Sequence, residues 1–196
     1  MSDGRAHEVR LIGGQWKRSR LPVADRPGLR PSPDRVRETL FNWLGQSLPG
    51  WRVLDAFAGS GALGFEAASR GAAEVLLLER DPALVRSLQQ SKARLGAATL
   101  QVQRADALAW MATGPRAHFQ LVFLDPPFDA GVHAQAIACA MPLLTDGGFL
   151  YVESGQALPD PPQGMEPFRQ GRAGAVHHGL WRRRYTAPAA SRGTSP

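Results

Sequence analysis

The 196-residue chain holds a single cysteine, two tyrosines and only two lysines against 21 arginines. The lone Cys139 excludes an internal disulfide, and no Cys/His cluster at metal-ligand spacing stands beside it, so no metal is expected. It lies in the apolar helical run Ala134 to Met141 and reads as a small core residue. No run approaches the roughly 18 apolar residues that a membrane span needs. The stretch Met1 to Glu8 lacks the apolar segment of a signal peptide. A reducing, cytoplasmic setting is expected. The length fits one domain, and a hydrophobic fraction of 43% suffices for a sizeable core.

Charge is unevenly spread. Residues 1–37 carry nine Arg and Lys against four acids, and residues 165–196 carry six against one, each a net of +5; residues 38–164 carry eight against twelve, a net of −4. Basic ends thus flank an acidic centre. Such flaps suit phosphate groups, although any single arginine reads first as a solvated surface charge. The candidates for contact with phosphates are Arg10, Lys17, Arg18, Arg20, Arg30, Arg35 and Arg37.

The centre carries the chemistry. The apolar run Phe119 to Leu124 reads as a buried strand and runs into Asp125-Pro126-Pro127-Phe128. Two prolines cannot continue a ladder, because neither has an N–H to donate. The strand must stop with an acid, two stiff carbonyls and a flat ring at its carboxyl end, where open α/β sheets bind ligands. The Asp125 carboxylate and the Pro126 carbonyl are acceptors for the two N–H bonds of an exocyclic amine, and Phe128 can stack on a planar group. A strand-ending turn with a buried Phe is the plainer alternative.

Upstream, Val53 to Gly64 is a short apolar strand running into Gly59, Gly61 and Gly64 at G-x-G-x-x-G spacing, followed by a helical pattern. Glycine permits the tight turn and a close backbone approach, and the helix start offers free N–H groups to an anion. The spacing alone fits nicotinamide and S-adenosylmethionine enzymes equally. A second strand, Glu74 to Leu78, ends at Glu79, an acid able to take both hydroxyls of a ribose or simply a solvated loop carboxylate. A third, Thr99 to Gln103, leads to Asp106 and Ala107; Asp106 can accept from an adenine amine, cap the next helix, or do both. With Asp55, Phe57 and Arg80 these complete the candidate cofactor residues.

The glycine loop, Glu79, Asp106 and the DPPF tetrapeptide, in that order, resemble S-adenosylmethionine-dependent amino-methyltransferases. The segments Leu11 to Arg18 and Gly28-Leu-Arg-Pro-Ser-Pro-Asp-Arg-Val-Arg-Glu-Thr-Leu-Phe-Asn-Trp-Leu44 narrow this to a similarity with the RsmD family, running from about Val9 to Arg184. The resemblance implies a Rossmann-like class I methyltransferase with a seven-stranded sheet. It further implies S-adenosylmethionine as methyl donor and methylation of the exocyclic N2 of a guanine in small-subunit (16S) ribosomal RNA. A monomer acting on a small-subunit particle is expected, and the sequence leaves open the exact nucleotide and the choice between naked and assembled RNA. Residues 125–128 would form the catalytic site. Protein-amine methylation would favour Asn in place of Asp125. A nicotinamide oxidoreductase leaves DPPF unexplained, and a non-catalytic RNA-binding assembly factor would not need it.

The coarse reading places a hairpin at Val9 to Ile12 and Gln15 to Arg18 around Gly13-Gly14, a Pro- and Arg-rich loop at 19–31, and a helix capped by Ser32 and running to about Gly45. Its stripe is Val36, Leu40, Trp43 and Leu44, with Arg35 and Arg37 off it. Strands at 52–56, 74–79, 99–103, 119–124 and 148–153 alternate with helices at 61–70, 82–95, 106–112 and 131–142, which implies an α/β doubly wound, mainly parallel sheet. A final hairpin at 165–170 and 175–184 is expected from the resemblance to close it antiparallel. One methyltransferase domain, 1–186, is anticipated, with 1–45 as an N-terminal hairpin and helix extension, 51–186 as the catalytic core, and a Pro/Ser/Gly-rich disordered tail from 187.

Overall fold

In the N-terminal extension, β1 (His7–Arg10) pairs antiparallel with β2 (Arg20–Val23), Val9 facing Leu21. The alternation is clean: Val9, Leu11, Leu21 and Val23 are buried, while Glu8, Arg10, Arg20 and Pro22 are exposed. This computed structural model describes residues 7–24, 32–127 and 131–185. The expected hairpin is there, but Gly13-Gly14 is not its two-residue turn, and Gln15 to Arg18 is a turn and not a strand. The strands are joined by a longer loop, closed by Leu11 N–H to the Ser19 carbonyl (2.8 Å) and Arg18 N–H to the Leu11 carbonyl (2.8 Å).

The glycine pair has another reason. It docks on the end of α2 (Ala62–Ser69), where Gln15 N–H donates to the Ser69 carbonyl (2.8 Å) and Ser69 Oγ donates to the Gly13 carbonyl (2.6 Å). A Cβ at Gly14 would sit 1.8 Å from the Ser69 carbonyl oxygen, at a backbone φ of +73°. Only glycine allows that approach.

The helix α1 (Asp34–Leu44) ends at Gly45 in the left-handed conformation. Val36, Leu40, Phe41 and Leu44 form its buried stripe, and Trp43 stacks on His178 (5.3 Å between ring centres). Ser32 does not cap it: no side chain does. Nor does Arg37 lie on the polar face; it is buried beside Val36.

The alternating pattern then unfolds as β3 (Arg52–Asp55), α2, β4 (Glu74–Glu79), α3 (Pro82–Leu95), β5 (Leu100–Arg104), α4 (Ala107–Thr113), β6 (Phe119–Leu124), α5 (His133–Ala140) with a short 3₁₀ turn, β7 (Leu144–Ser154), β8 (Met165–Ala173) and β9 (Val176–Arg183). The seven-stranded sheet has the order β5-β4-β3-β6-β7-β9-β8. Strands β3 to β7 pair in parallel, and β9 runs antiparallel between β7 and β8. β7 starts four residues before the expected position, and its pairing with β6 shifts register around Gly147-Gly148.

Successive residues of each strand face opposite layers. Val53, Leu77, Phe123 and Tyr151 join the hairpin, α1, α2 and α3 on one face; Leu54, Leu78, Leu124 and Val152 join α4 and α5 on the other. Both faces being covered explains the near-continuous apolar runs in these strands. Among the described residues no helix is long and apolar enough to cross a membrane. Phe128, Arg30 and the tail beyond Tyr185 lie outside the described residues.

Candidate functional site

Four neighbouring strands each end on a carboxylate. In sheet order these are Glu79 of β4, Asp55 of β3, Asp125 directly after β6, and Glu153 near the end of β7. Adjacent strands lie about 4.8 Å apart, so the row is a continuous acidic rim at the carboxyl edge of the sheet.

The glycine loop organises the first half of the rim. Gly59 and Gly61 adopt positive φ (+53° and +80°), turning the chain from β3 into α2. Gly59 N–H donates to Glu79 Oε2 (3.0 Å), and Asp81 N–H donates to Oε1 (2.8 Å). Asp55 is buried, and its Oδ2 accepts from Gly64 N–H (3.0 Å). Burial pushes the Asp55 carboxyl up to about 7; the Glu79 and Glu153 charges add to this, against the Gly64 and Phe57 amides. A Cβ on Gly64 would meet Leu77 at 2.1 Å, so this glycine serves helix–sheet packing. Phe57 is half-buried, Ala107 buried and Arg80 exposed at the same edge. Asp106 caps α4, its Oδ1 accepting from Ala109 N–H (2.9 Å), which leaves its second oxygen available.

The second half is held by hydroxyls. Asp125 is partly exposed as a residue, but its carboxyl group is enclosed; its Oδ2 lies 3.4 Å from Ser32 Oγ. Burial pushes this carboxyl well above the usual carboxylate range, helped by the charges of Glu153 and Asp55 and opposed by the Ser32 hydrogen bond. Pro126 is buried and Pro127 exposed. Glu153 is 2% exposed, and its Oε1 accepts from both Ser32 Oγ (2.6 Å) and Tyr151 Oη (2.8 Å). Ser32 and Glu153 were not among the candidate residues. Glu153 carried a readable signal: it closes an apolar strand as Glu79 does. Ser32 carried only the look of a helix cap.

Arg37 cannot serve an RNA phosphate. Its guanidinium is fully buried and donates to the Ser32 carbonyl (3.3 Å), the Arg10 carbonyl (2.9 Å), Asp34 Oδ1 (2.5 Å) and Glu66 Oε2 (3.4 Å). Glu66 also accepts from Ile12 N–H (2.9 Å) and Arg70 Nε (2.9 Å). This network bolts the N-terminal extension to α2. Burial of Arg37 follows from satisfying every polar partner inside. By contrast Arg10, Lys17, Arg18, Arg20 and Arg35 are exposed. Arg10 approaches Asp34 Oδ2 (3.6 Å) and Arg20 pairs with Glu8 (2.8 Å). The loop bearing Lys17 and Arg18 sits at the carboxyl end of α2, whereas the rim lies at its amino end, about 12 Å of helix away.

The rim fits an adenosyl sulfonium. Each Glu79 oxygen accepts one amide and keeps a lone pair for a ribose hydroxyl. The start of α2 has no capping side chain. The row of acids would stabilise a cation and be drawn toward ionisation by it. Depressions lined by Met111, Gly114 and Cys139, and by Gln89, Lys92 and Ala97, lie away from these acids. Among the described residues no group of three or more His, Cys, Asp or Glu could hold a metal ion.

The chain is similar to known proteins over most of its length. The model of the family described as "Conserved hypothetical protein 95" matches residues 9–182. The chain is 44% identical over 184 residues to the Ribosomal RNA small subunit methyltransferase D of Escherichia coli, covering 90% of both chains. The solved structure of Escherichia coli yhhF superposes with a TM-score of 0.82 at 40% identity, covering 92% of this chain and 100% of that one. The Thermus thermophilus 16S rRNA N2 G1207 methyltransferase RsmC, solved with AdoMet and guanosine, shares the fold at 22% identity (TM-score 0.66; 92% of this chain, 50% of that one).

Proposed function

The chain belongs to the Conserved hypothetical protein 95 family, whose model spans nearly its whole length, and from that premise we propose that it methylates the exocyclic N2 amine of a guanine in small-subunit ribosomal RNA, with S-adenosylmethionine as donor. The relative covering 90% of the chain is named for methylation of small-subunit ribosomal RNA. An oxidoreductase reading of the glycine spacing therefore falls away. The observation that carries the amine reading is the Asp125-Pro126 step, whose carboxyl and carbonyl acceptors stand in the middle of an acidic rim.

S-adenosylmethionine supplies an electrophilic methyl group on a sulfonium. The residues then have to bind, align and manage protons. Glu79 holds the ribose, and the second oxygen of Asp106 accepts from the adenine amine. Guanine N2 is a poor nucleophile because its lone pair is delocalised into the ring. Acceptors at Asp125 and Pro126 take its two N–H bonds, favour a pyramidal nitrogen and point the lone pair out. Alignment of this kind contributes up to several kcal/mol. Asp125 also stabilises the positive charge that grows on the nitrogen and can take its proton. Phe128, known from the sequence alone, supplies the stacking surface for a base that has left its helix or lies in a loop.

The test is nucleoside mass analysis of unmethylated small-subunit RNA, naked and in assembled particles, after incubation with labelled donor. N2-methylguanosine in either substrate supports the reading, and the better substrate identifies the physiological form. Label confined to another nucleoside or to protein would reject it.

A further inference from the structure

Glu153 has no task in the chemistry outlined above, yet it is among the most completely enclosed charged groups in the protein. It lies beside Asp125 across the β6–β7 pairing, one residue beyond the facing pair Leu124 and Val152. The two carboxyls share one hydroxyl. Ser32 has a single proton to donate, and at 2.6 Å against 3.4 Å that proton goes to Glu153. Tyr151 Oη adds a second O–H to the same oxygen at 2.8 Å. Asp125 receives no other hydrogen bond from a described side chain.

Two bare negative charges this close in an enclosed site are costly, so one proton is shared between them. Burial raises the Glu153 carboxyl too, but the Ser32 and Tyr151 hydroxyls and the Arg37 charge oppose that rise, which makes Glu153 the favoured seat of the charge in the free protein. Asp125 is the favoured seat of the proton. For Asp125 to accept an amine proton, its own must go elsewhere, and Ser32 is the group that touches both carboxyls.

Resting on the amine-methylation reading, we infer that Ser32 and Glu153 form a proton-holding pair for Asp125, with the Ser32 hydroxyl moving a proton between the two carboxyls. The Asp125 Oδ2–H bond breaks as that proton joins Ser32 Oγ. The Ser32 O–H bond breaks as its proton joins Glu153 Oε1. Serine is unchanged, and one negative charge passes from Glu153 to Asp125. Glu153 acts through Asp125 and is a positioning residue. The other charged or titratable groups around the pair are Asp55 on β3, Arg37 on α1, Tyr151 on β7, His178 facing Glu153 on β9, and the His133 ring, whose Nε2 lies 2.9 Å from the Glu153 carbonyl oxygen.

Two measurements test this. The first is infrared titration of the free protein, which reads protonated carboxyls without any turnover. The Asp125 band, assigned by its loss in Asp125→Asn, should move to lower pH by about one unit or more in Glu153→Gln, because a like charge has been removed. Ser32→Ala takes a donor from Glu153 and an acceptor from protonated Asp125, so the band should move to lower pH there too, and Ser32→Thr, which keeps the hydroxyl, should restore the parent value. The second is the pH profile of kcat, whose acid limb should move in the same directions. If all variants keep the parent titration and differ only in melting temperature, Ser32 and Glu153 merely pin the extension, and the inference fails. If the bands shift as expected but no guanine is methylated, the pair stands and the functional reading fails.

Discussion

Glu79 and Glu153 close two strands of one sheet, yet they are held in opposite ways. Both Glu79 oxygens accept from backbone amides, and the residue is half-buried. Glu153 is enclosed, and one of its oxygens accepts two side-chain hydroxyls. An amide is a fixed donor that neither rotates nor gives up its proton. A hydroxyl does both. The rim therefore divides into an amide-held half, on β4 and β3, and a hydroxyl-held half, on β6 and β7, which suits the first to holding a ligand and the second to the proton transfer proposed above. The second half depends on the N-terminal extension, because Ser32 comes from it.

Releasing the extension should therefore disturb one half far more than the other. Arg37→Met removes the guanidinium that ties Ser32, Arg10 and Asp34 to Glu66. Breaking a buried pair from one side costs about 3–5 kcal/mol. Urea unfolding should show that loss. The folded fraction should still bind S-adenosylmethionine, because the glycine loop and Glu79 make no contact with Arg37.

Within the rim, Asp125→Ala should lower kcat by about 10²–10³-fold, the scale of one missing electrostatic partner in a transition state. Cofactor affinity measured by calorimetry should change little. Glu79→Ala should do the reverse. Losing a charged acceptor weakens cofactor binding by roughly 1.5–3 kcal/mol, while turnover at saturating cofactor is largely kept. If both variants lose affinity and turnover together, the rim is one functional unit and not two.

Asp55 probes the line between the halves, since it is amide-held but raised. Its folded value of about 7 lies above the ordinary value of 3.8. Between those values the folded state binds the proton and the unfolded state does not, so its contribution to stability is greatest below about 3.8 and falls as pH rises toward 7. Asp55→Asn should flatten that fall in the denaturation midpoint of the cofactor-free protein between about pH 4 and 7. An unchanged pH dependence would mean that the Gly64 and Phe57 amides hold the carboxyl ionised throughout.

Much of this was legible in the chain. The run Phe119 to Leu124 and the helix 82–95 emerge with the expected bounds, because an apolar run stopped by proline and a helix opened by Asp81-Pro82 are local signals. Asp55, Glu79, Asp106 and Asp125 all reach the same edge for the same reason: each ends a strand or begins the following turn. What was not legible depends on distant partners. Gly13-Gly14 looks like a hairpin turn until Ser69 is placed against it. Ser32 looks like a cap until Glu153, 121 residues on, takes its hydroxyl. Arg37 looks like a surface charge until the extension folds back over Glu66.

A subtler outcome is expected at the basic loop, where the question is whether RNA binding belongs to either half of the rim. Lys17 and Arg18 are exposed at the carboxyl end of α2, and Arg20 is exposed on β2 beside Glu8. All three stand apart from the amide-held acids and from the Ser32 hydroxyl. If they meet phosphates, replacing them together by Gln should reduce the slope of log affinity against log salt by about 0.7–0.9 for each phosphate no longer neutralised. Stability should change by little, since their ion pair among the described residues is the exposed Arg20–Glu8 pair, and such pairs contribute about 0–1 kcal/mol. Cofactor affinity and the acid limb of the kcat profile should both stay at parent values. Equal slopes for the triple variant and the parent, on the same RNA or ribosomal particle, would remove this loop from the binding surface and leave Arg10 and Arg35, exposed on β1 and α1, as the next candidates.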